Sequence, residues 1–460
     1  MGAGKVADTL QQSCSTDPLR LLSTYIPTGE SESALLCAAL ADNSSVRELL
    51  LSGHALSEEG ARHFGAALRK NRNLRRLALG NASFGDKALE ALLESWCNET
   101  LCHLDLELKG LSAAGMPALL ATLRAPNGLV SLHLGRNALG DEGAAVLAEG
   151  LRWAALERLD LRECGVGEAG CRRLGEALHA RERCTADGAS LALLLDGNPL
   201  GNAGLAALAT AAAHGPHALP VAELSAEGCG VGEAGVAALA AAAQQPGSSW
   251  AALRTLRLGS NRVRDAGCLA GLLPRLRRLQ LERNSLGLAP AALEAALLQL
   301  PAGGLELLDL SSNKIEPGAS LMRALGAAPV AELRLLGNAL GEAGADALMQ
   351  AVRAAGAASL VRVLSLTGVG LTDCTAVLAA ARDCPNLRTL ELGANAIGDA
   401  GFVAVERLRD ERHDLDIAVD KNPEEARQQH DKLNGFVQQG CEGVEGVEGI
   451  EGEARPILGP

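Results

Sequence analysis

The sequence predicts an α/β repeat fold in which short strands and helices alternate in series around one elongated core. Three observations predict it. Leucines recur in a fixed register, turn-forming residues recur with them, and an apolar helical stripe follows each turn. The clearest unit is Leu129 to Leu151, LVSLHLGRNALGDEGAAVLAEGL. Leu132 and Leu134 alternate with His133, so both leucines face one side of a short strand. Asn137 stands where the strand turns away. Its amide is placed to bond backbone groups that the turn leaves unpaired, including those of the next unit. Gly140 and Gly143 relax the turn into a helix. Val146, Leu147 and Leu151 then supply an apolar stripe. One unit cannot bury its own leucines, so neighbours must stack on it.

Taking Asn137 as the origin of its unit, the equivalent positions are His54, Ala82, Lys109, Asn137, Cys164, Asn198, Cys229, Asn261, Asn284, Asn313, Asn338, Val369, Asn395 and Asn422. The first five are 27 or 28 residues apart, and later steps run from 23 to 34. Three residues before the origin, Leu stands in twelve of fourteen units, with Ala226 and Val419 as exceptions. Five before, it stands in thirteen, with Ile417 in the last. Two after, each of the first thirteen carries Leu, Val, Ile or Phe. Chance does not produce that register.

These units resemble the leucine-rich repeats of the ribonuclease-inhibitor type, over roughly Ala34 to Asn422. The resemblance implies a right-handed β–α solenoid of about 13–14 units, a horseshoe with a parallel sheet on the concave face and helices on the convex face. A helix is about 10 Å wide while strands lie about 4.8 Å apart, so such a stack curves. The departures carry information. His54, Ala82, Lys109 and Val369 replace the turn Asn, and Pro290 and Thr375 replace the glycine that opens the helix. The 23-residue step from Asn261 to Asn284 has room only for an abbreviated helix.

In chain order, residues 1–32 read as an irregular start in which Leu21 to Ile26 is a short apolar segment. Residues 33–45 read as a capping helix that covers the first strand's unpaired edge. Residues 46–422 form the solenoid. Asn422-Pro423-Glu424-Glu425 has an N-cap, Pro at the first helical position and an acid at the third, so 423–439 reads as a C-terminal capping helix. The EGV-type repetition of 440–460 reads as a disordered acidic tail.

Apolar residues make up 48% of the chain but aromatics only 2%, so the core is leucine and alanine and stability accrues over many units. The formal net charge of −13 argues against nucleic-acid binding. The twelve cysteines are spread over a long chain without an apolar leader. Cys164, Cys171, Cys229 and Cys268 fall on repeat positions, so reduced structural thiols in a cytoplasmic protein are expected. Cys97 and Cys102 have no second pair to make a zinc site. The uncharged runs Gly197–Ala222 and Ala234–Leu253 fit repeat helices rather than membrane spans. The sequons at Asn43, Asn81 and Asn98 carry little weight without secretion. Gly2-Ala3-Gly4-Lys5 lacks the glycine spacing and the Ser or Thr of a phosphate loop.

Side chains two, four and six residues before each origin point into the hollow. In units three to six these include His103, Asp105, Glu107, His133, Arg158, Asp160, Arg162 and Asp196. They come from different units on an open, wet face, where nothing is expected to shift a pKa. A mixed-charge docking surface therefore outweighs a metal or acid–base site, and no cofactor is expected. A second cluster is basic, with Arg254, Arg257, Arg262, Arg264, Arg275, Arg277, Arg278 and Arg283 against only Asp265 and Glu282. Arg257 and Arg278 face the hollow, Arg283 its rim. Their guanidinium forks suit an acidic or phosphorylated segment of a partner protein.

The expectation is a non-catalytic monomeric scaffold, adaptor or sensor that binds another protein through its concave face, without nucleic acid or membrane. The ligand-sensing repeats of NOD-like receptors are similar. The alternative is a regulator of a small GTPase, because the Ran GTPase-activating protein has similar repeats and an acidic tail. No residue motif carries that activity over.

Overall fold

In a computed structural model, the structure describes residues 19–20, 30–94, 96–152, 154–179, 190–213, 219–301 and 303–419. The apolar segment Leu21 to Ile26, the capping helix at 423–439 and the acidic tail fall outside the described residues. One parallel sheet runs the length of the molecule, with its strands in strict sequence order. They are β1 (Leu19–Arg20), β2 (Glu48–Ser52), β3 (Arg76–Gly80), β4 (His103–Asp105) and β5 (Ser131–His133). Next come β6 (Arg158–Asp160), β7 (Leu191–Leu194), β8 (Val221–Ser225), β9 (Thr255–Arg257) and β10 (Arg278–Gln280). The series ends with β11 (Leu305–Asp309), β12 (Val330–Arg334), β13 (Val363–Ser365), β14 (Thr389–Glu391) and β15 (Asp416–Ala418). This is the α/β solenoid that the leucine register implies, with helices behind the sheet packing each on the next. The two-residue β1 is an addition: it pairs Leu19 with Leu49 and Arg20 with Leu50 ahead of the first expected strand.

Register follows the leucines. Leu104, Leu132 and Leu159 are Cα partners in consecutive strands. Each is buried to within about 1% of completely. Burying such a side chain contributes roughly 1.5–3 kcal/mol. Behind the sheet, residues 30–42 form a helix, and the helices Gly140–Leu151 and Glu168–His179 turn Leu147, Leu151, Leu174 and Leu178 inward. Between Asn261 and Asn284 the helix is cut to a 3₁₀ turn at Ala266–Leu269, as the short step requires. Trp250 fills the neighbouring interior and donates from its indole Nε1 to the Ala209 carbonyl at 3.1 Å.

The turn asparagines form a ladder, and its direction corrects the expectation. Asn137 reaches back to the preceding unit rather than on to the next. Its Nδ2 donates to the carbonyls of Leu106 and Leu134 at 2.8 Å, and its Oδ1 accepts from the backbone amides of Lys109 and Leu111. Asn198, Asn261, Asn338 and Asn395 repeat the pattern. Where Cys164 and Cys229 replace Asn, the thiol donates to the carbonyls of Leu134 and Leu195.

A second ladder lies on the opposite edge, where each helix returns to the sheet. Asn71 donates to the carbonyls of Leu40 and Asn43 and accepts from the amides of Asn73 and Leu74. Asn98 does the same one unit later. Two of the three sequon asparagines, Asn43 and Asn98, are thus buried in the backbone of the turns.

Candidate functional site

The strands' solvent face carries three rows of side chains, and the parallel pairing brings residues of different units side by side. Ser131 stands between His103 and Arg158, and His133 between Asp105 and Asp160. The centre of this group is Asp160, whose side chain is wholly buried. Its carboxylate accepts from the Arg162 guanidinium, with Nε at 2.9 and 3.0 Å from the two oxygens and Nη2 at 2.6 Å, and from the Arg162 amide. His133 Nδ1 lies 3.4 Å from the same carboxylate, while its Nε2 is 2.9 Å from Ser131 Oγ. Arg136 joins the network through Glu163 at 3.2 Å and Glu107 at 3.8 Å.

These contacts overturn the expectation that nothing here shifts a pKa. Burial pushes Asp160 up, but hydrogen bonds from His133 and Arg162 outweigh it and hold the carboxyl well below the ordinary range. The same bond to Asp160 raises Arg162. Burial, then Arg76 and His133, lower His103. Asp160 is therefore not a contact residue. It fixes Arg162 and His133, which remain open to solvent beside Glu107.

The next strands are acidic, and this the sequence reading missed. Asp196 accepts from Ser225 Oγ at 2.5 Å and from the Glu227 amide at 2.8 Å. Burial and then Asp196 raise Glu227; burial and then Asp309 raise Glu282. The Glu282 carboxylate lies over Gly259, where an added Cβ would come within 2.4 Å of Oε1. Arg257 sits among these acids, with Nη2 3.3 Å from Glu223. The rule of two, four and six before the origin, carried past unit six, picks out Glu223, Glu227, Glu282 and Asp309.

The eight arginines crowded in sequence are divided in space. Arg254 and Arg277 precede β9 and β10 on neighbouring rungs, the amide of Arg277 donating to the Arg254 carbonyl at 2.8 Å. With Arg278 they lie on the rim where strands begin, here called the leading rim. Arg277 is exposed, with Glu306 at 3.7 Å. Arg262, Arg264 and Arg283 lie past the strands on the trailing rim, and Arg283 holds a positive φ of 55°. Arg275 turns to the helical side and donates to the Ala243 carbonyl. Across β9 and β10 the charge thus forms bands, with arginine on the leading rim, the carboxylates of Glu227 and Glu282 past the strand centres, and arginine again on the trailing rim.

Among the described residues no group of three or more His, Cys, Asp or Glu is arranged to hold a metal ion. No described helix is long and apolar enough to cross a membrane.

A family profile described as Leucine Rich repeat matches residues 70–93, 129–148 and 383–405. The ribonuclease inhibitor of Sus scrofa is 31% identical over 396 residues, covering 76% of this chain and 83% of that one. The ribonuclease inhibitor of Mus musculus is 28% identical, covering 78% and 72%. The NACHT, LRR and PYD domains-containing protein 5 of Homo sapiens is 30% identical over 80% of this chain but only 28% of its own length. With its buried leucine register, its parallel sheet and its asparagine ladder, the chain belongs to the ribonuclease-inhibitor-like family of leucine-rich repeat proteins.

Proposed function

We propose that this chain is a non-catalytic scaffold that holds a partner protein in the hollow of the horseshoe, acting as a monomer in the cytoplasm. The observation that carries the reading is the banding of charge across the same strands. Arg254, Arg277 and Arg278 occupy the leading rim of β9 and β10, Glu227 and Glu282 follow toward the strand ends, and Arg262, Arg264 and Arg283 lie beyond them on the trailing rim. A partner laid across them presents an acidic or phosphorylated segment to the arginines and basic groups to the carboxylates. Such complementarity sets orientation and association rate. The Asp160–Arg162–His133 network supports the reading because it fixes donors on the surface before any partner arrives. The nine described cysteines carry free thiols, as a reducing compartment requires. Two relatives are ribonuclease inhibitors, proteins that act on another protein.

The test is affinity capture with wild type, with Arg277→Glu plus Arg278→Glu, and with Glu227→Lys plus Glu282→Lys. One partner lost from both variants supports the reading, and a partner list unchanged in both overturns it. The GTPase alternative is decided by turnover: acceleration of a small GTPase by catalytic amounts of this chain would displace the scaffold reading.

A further inference from the structure

A separate cationic surface lies at the other end of the leading rim. Arg47, Arg69, Lys70, Arg72, Arg75 and Arg76 are all exposed. Arg47 precedes β2, Arg69 and Lys70 end the helix Glu58–Lys70, Arg72 and Arg75 stand in the turn that follows it, and Arg76 opens β3. The amides of Arg75 and Arg76 both donate to the Arg47 carbonyl, at 2.7 and 3.0 Å, so the three residues are held side by side across adjacent units. Asn71 locks the turn between them through four backbone bonds. Two of the side chains contact carbonyls, Arg72 that of Cys97 at 3.4 Å and Arg75 that of Thr100 at 3.0 Å. Among the described residues, none of the six cations forms an ion pair. Among the described residues, Glu48 is the rung partner of Arg76 without forming an ion pair with it.

The contrast with the convex face is what needs explaining. There Arg62 meets Glu58, Glu59 and Glu94, Arg172 meets Glu168, and Arg382 meets Glu411. A chain of net charge −13 has acids to spare, yet among the described residues this rim gathers six cations without an ion pair. Repulsion among them raises the energy of the free surface and is relieved when an anion docks.

We propose that this end of the leading rim is a second docking surface, which takes an acidic segment of a protein partner. The proposal borrows only the protein-binding class from the reading above. Arg47, Arg75 and Arg76 receive carboxylates bidentately, and Arg72 and Lys70 flank them. The locked turns lower the ordering cost of docking. A nucleic acid is disfavoured because the overall charge repels a long polyanion and none of the six cations is interleaved with an aromatic stacking platform. A lipid surface is disfavoured because residues 43–76 contain none of the large apolar side chains that stand exposed elsewhere.

The probe is a fluorescein-labelled decaglutamate peptide followed by anisotropy on the full chain. Wild type is expected to bind it, with affinity falling steeply between about 50 and 300 mM salt. Arg47→Glu with Arg72→Glu and Arg76→Glu is expected to weaken binding at least about tenfold. Arg277→Glu with Arg278→Glu is expected to change it by less than about threefold. The corresponding glutamine triple variant, checked for an unchanged melting temperature, separates loss of charge from loss of fold. Equal binding by wild type and the triple variant overturns the proposal, as does a loss confined to the Arg277 and Arg278 variant. Competition by phosphatidylserine vesicles or oligouridine at lower concentration than by decaglutamate also overturns it. Because the probe is synthetic, these outcomes are independent of whether the hollow captures its own partner.

Discussion

Asn98 donates from Nδ2 to the carbonyl of Asn71, 27 residues earlier, at 3.0 Å. This amide stitches one returning turn to the one before it, and Asn71 does the same to Asn43. Replacing Asn98 with Ala strips partners from the carbonyls of Leu68 and Asn71 and from the amides of Thr100 and Leu101, all at a buried site. Each buried group left unsatisfied costs about 1–3 kcal/mol. Allowing for relaxation, Asn98→Ala should destabilise by roughly 3 kcal/mol or more. Hydrogen exchange should localise the loss to the first units, because a solenoid responds unit by unit. An unchanged urea midpoint would show that the ladder carries no net stability.

Asp160 makes a pH prediction. Its folded pKa lies below its unfolded value, so its contribution is complete above about pH 4 and is lost as pH falls from there toward the folded pKa. Asp160→Asn removes the charge that Arg162 and His133 face. It should cost about 2–4 kcal/mol at neutral pH, because a charged partner is left uncompensated. Stability of the two proteins should converge as pH drops below 4. Subtracting one pH–stability curve from the other isolates this group from other carboxylates, and a flat difference would contradict the network described above.

The thiols give a chemical test of the core. Burial pushes Cys37, Cys171 and Cys229 up to about 12 from 9.0, which leaves roughly a thousandfold less thiolate than an ordinary cysteine. Cys97 is exposed. In the native protein an aromatic disulfide reagent should modify Cys97 within minutes and leave those three untouched until denaturant is added. Rapid native labelling at Cys171 would mean that the helix Glu168–His179 opens far more easily than its packing implies.

The two asparagine ladders show how unevenly the sequence discloses this structure. The turn ladder is legible because eight of its fourteen positions are Asn and seven of these lie three residues past a leucine of fixed register. The second runs cleanly only through Asn43, Asn71 and Asn98, in turns of variable length that blur its period. Charge is harder to read. Arg254, Arg275 and Arg283 are near in sequence, yet a strand–turn–helix unit sends them to the leading rim, the helical side and the trailing rim. Conversely Arg47 and Arg75 are 28 residues apart and become neighbours because one repeat intervenes. Asp160 was legible in position but not in role, since its burial depends on the Arg162 side chain folding back over it.

Glu282 provides the last test, because its environment works against stability. Its half-buried carboxyl faces Asp309 and stands above its ordinary pKa, so the folded state holds the proton more tightly than the unfolded chain does. Stability from this group is therefore present at low pH and is lost as pH rises through the raised folded pKa. Glu282→Gln should consequently stabilise the free protein at pH 7, by less than about 1 kcal/mol, and the advantage should vanish near pH 4. The same variant should bind the hollow's partner more weakly, because the displaced charge is the one a basic group would meet. Stability gained together with affinity lost is the signature of a residue kept for binding rather than folding. If Glu282→Gln instead lowers the melting temperature at pH 7, the carboxylate is part of the Arg257 ion-pair framework and the acidic side of the hollow is structural.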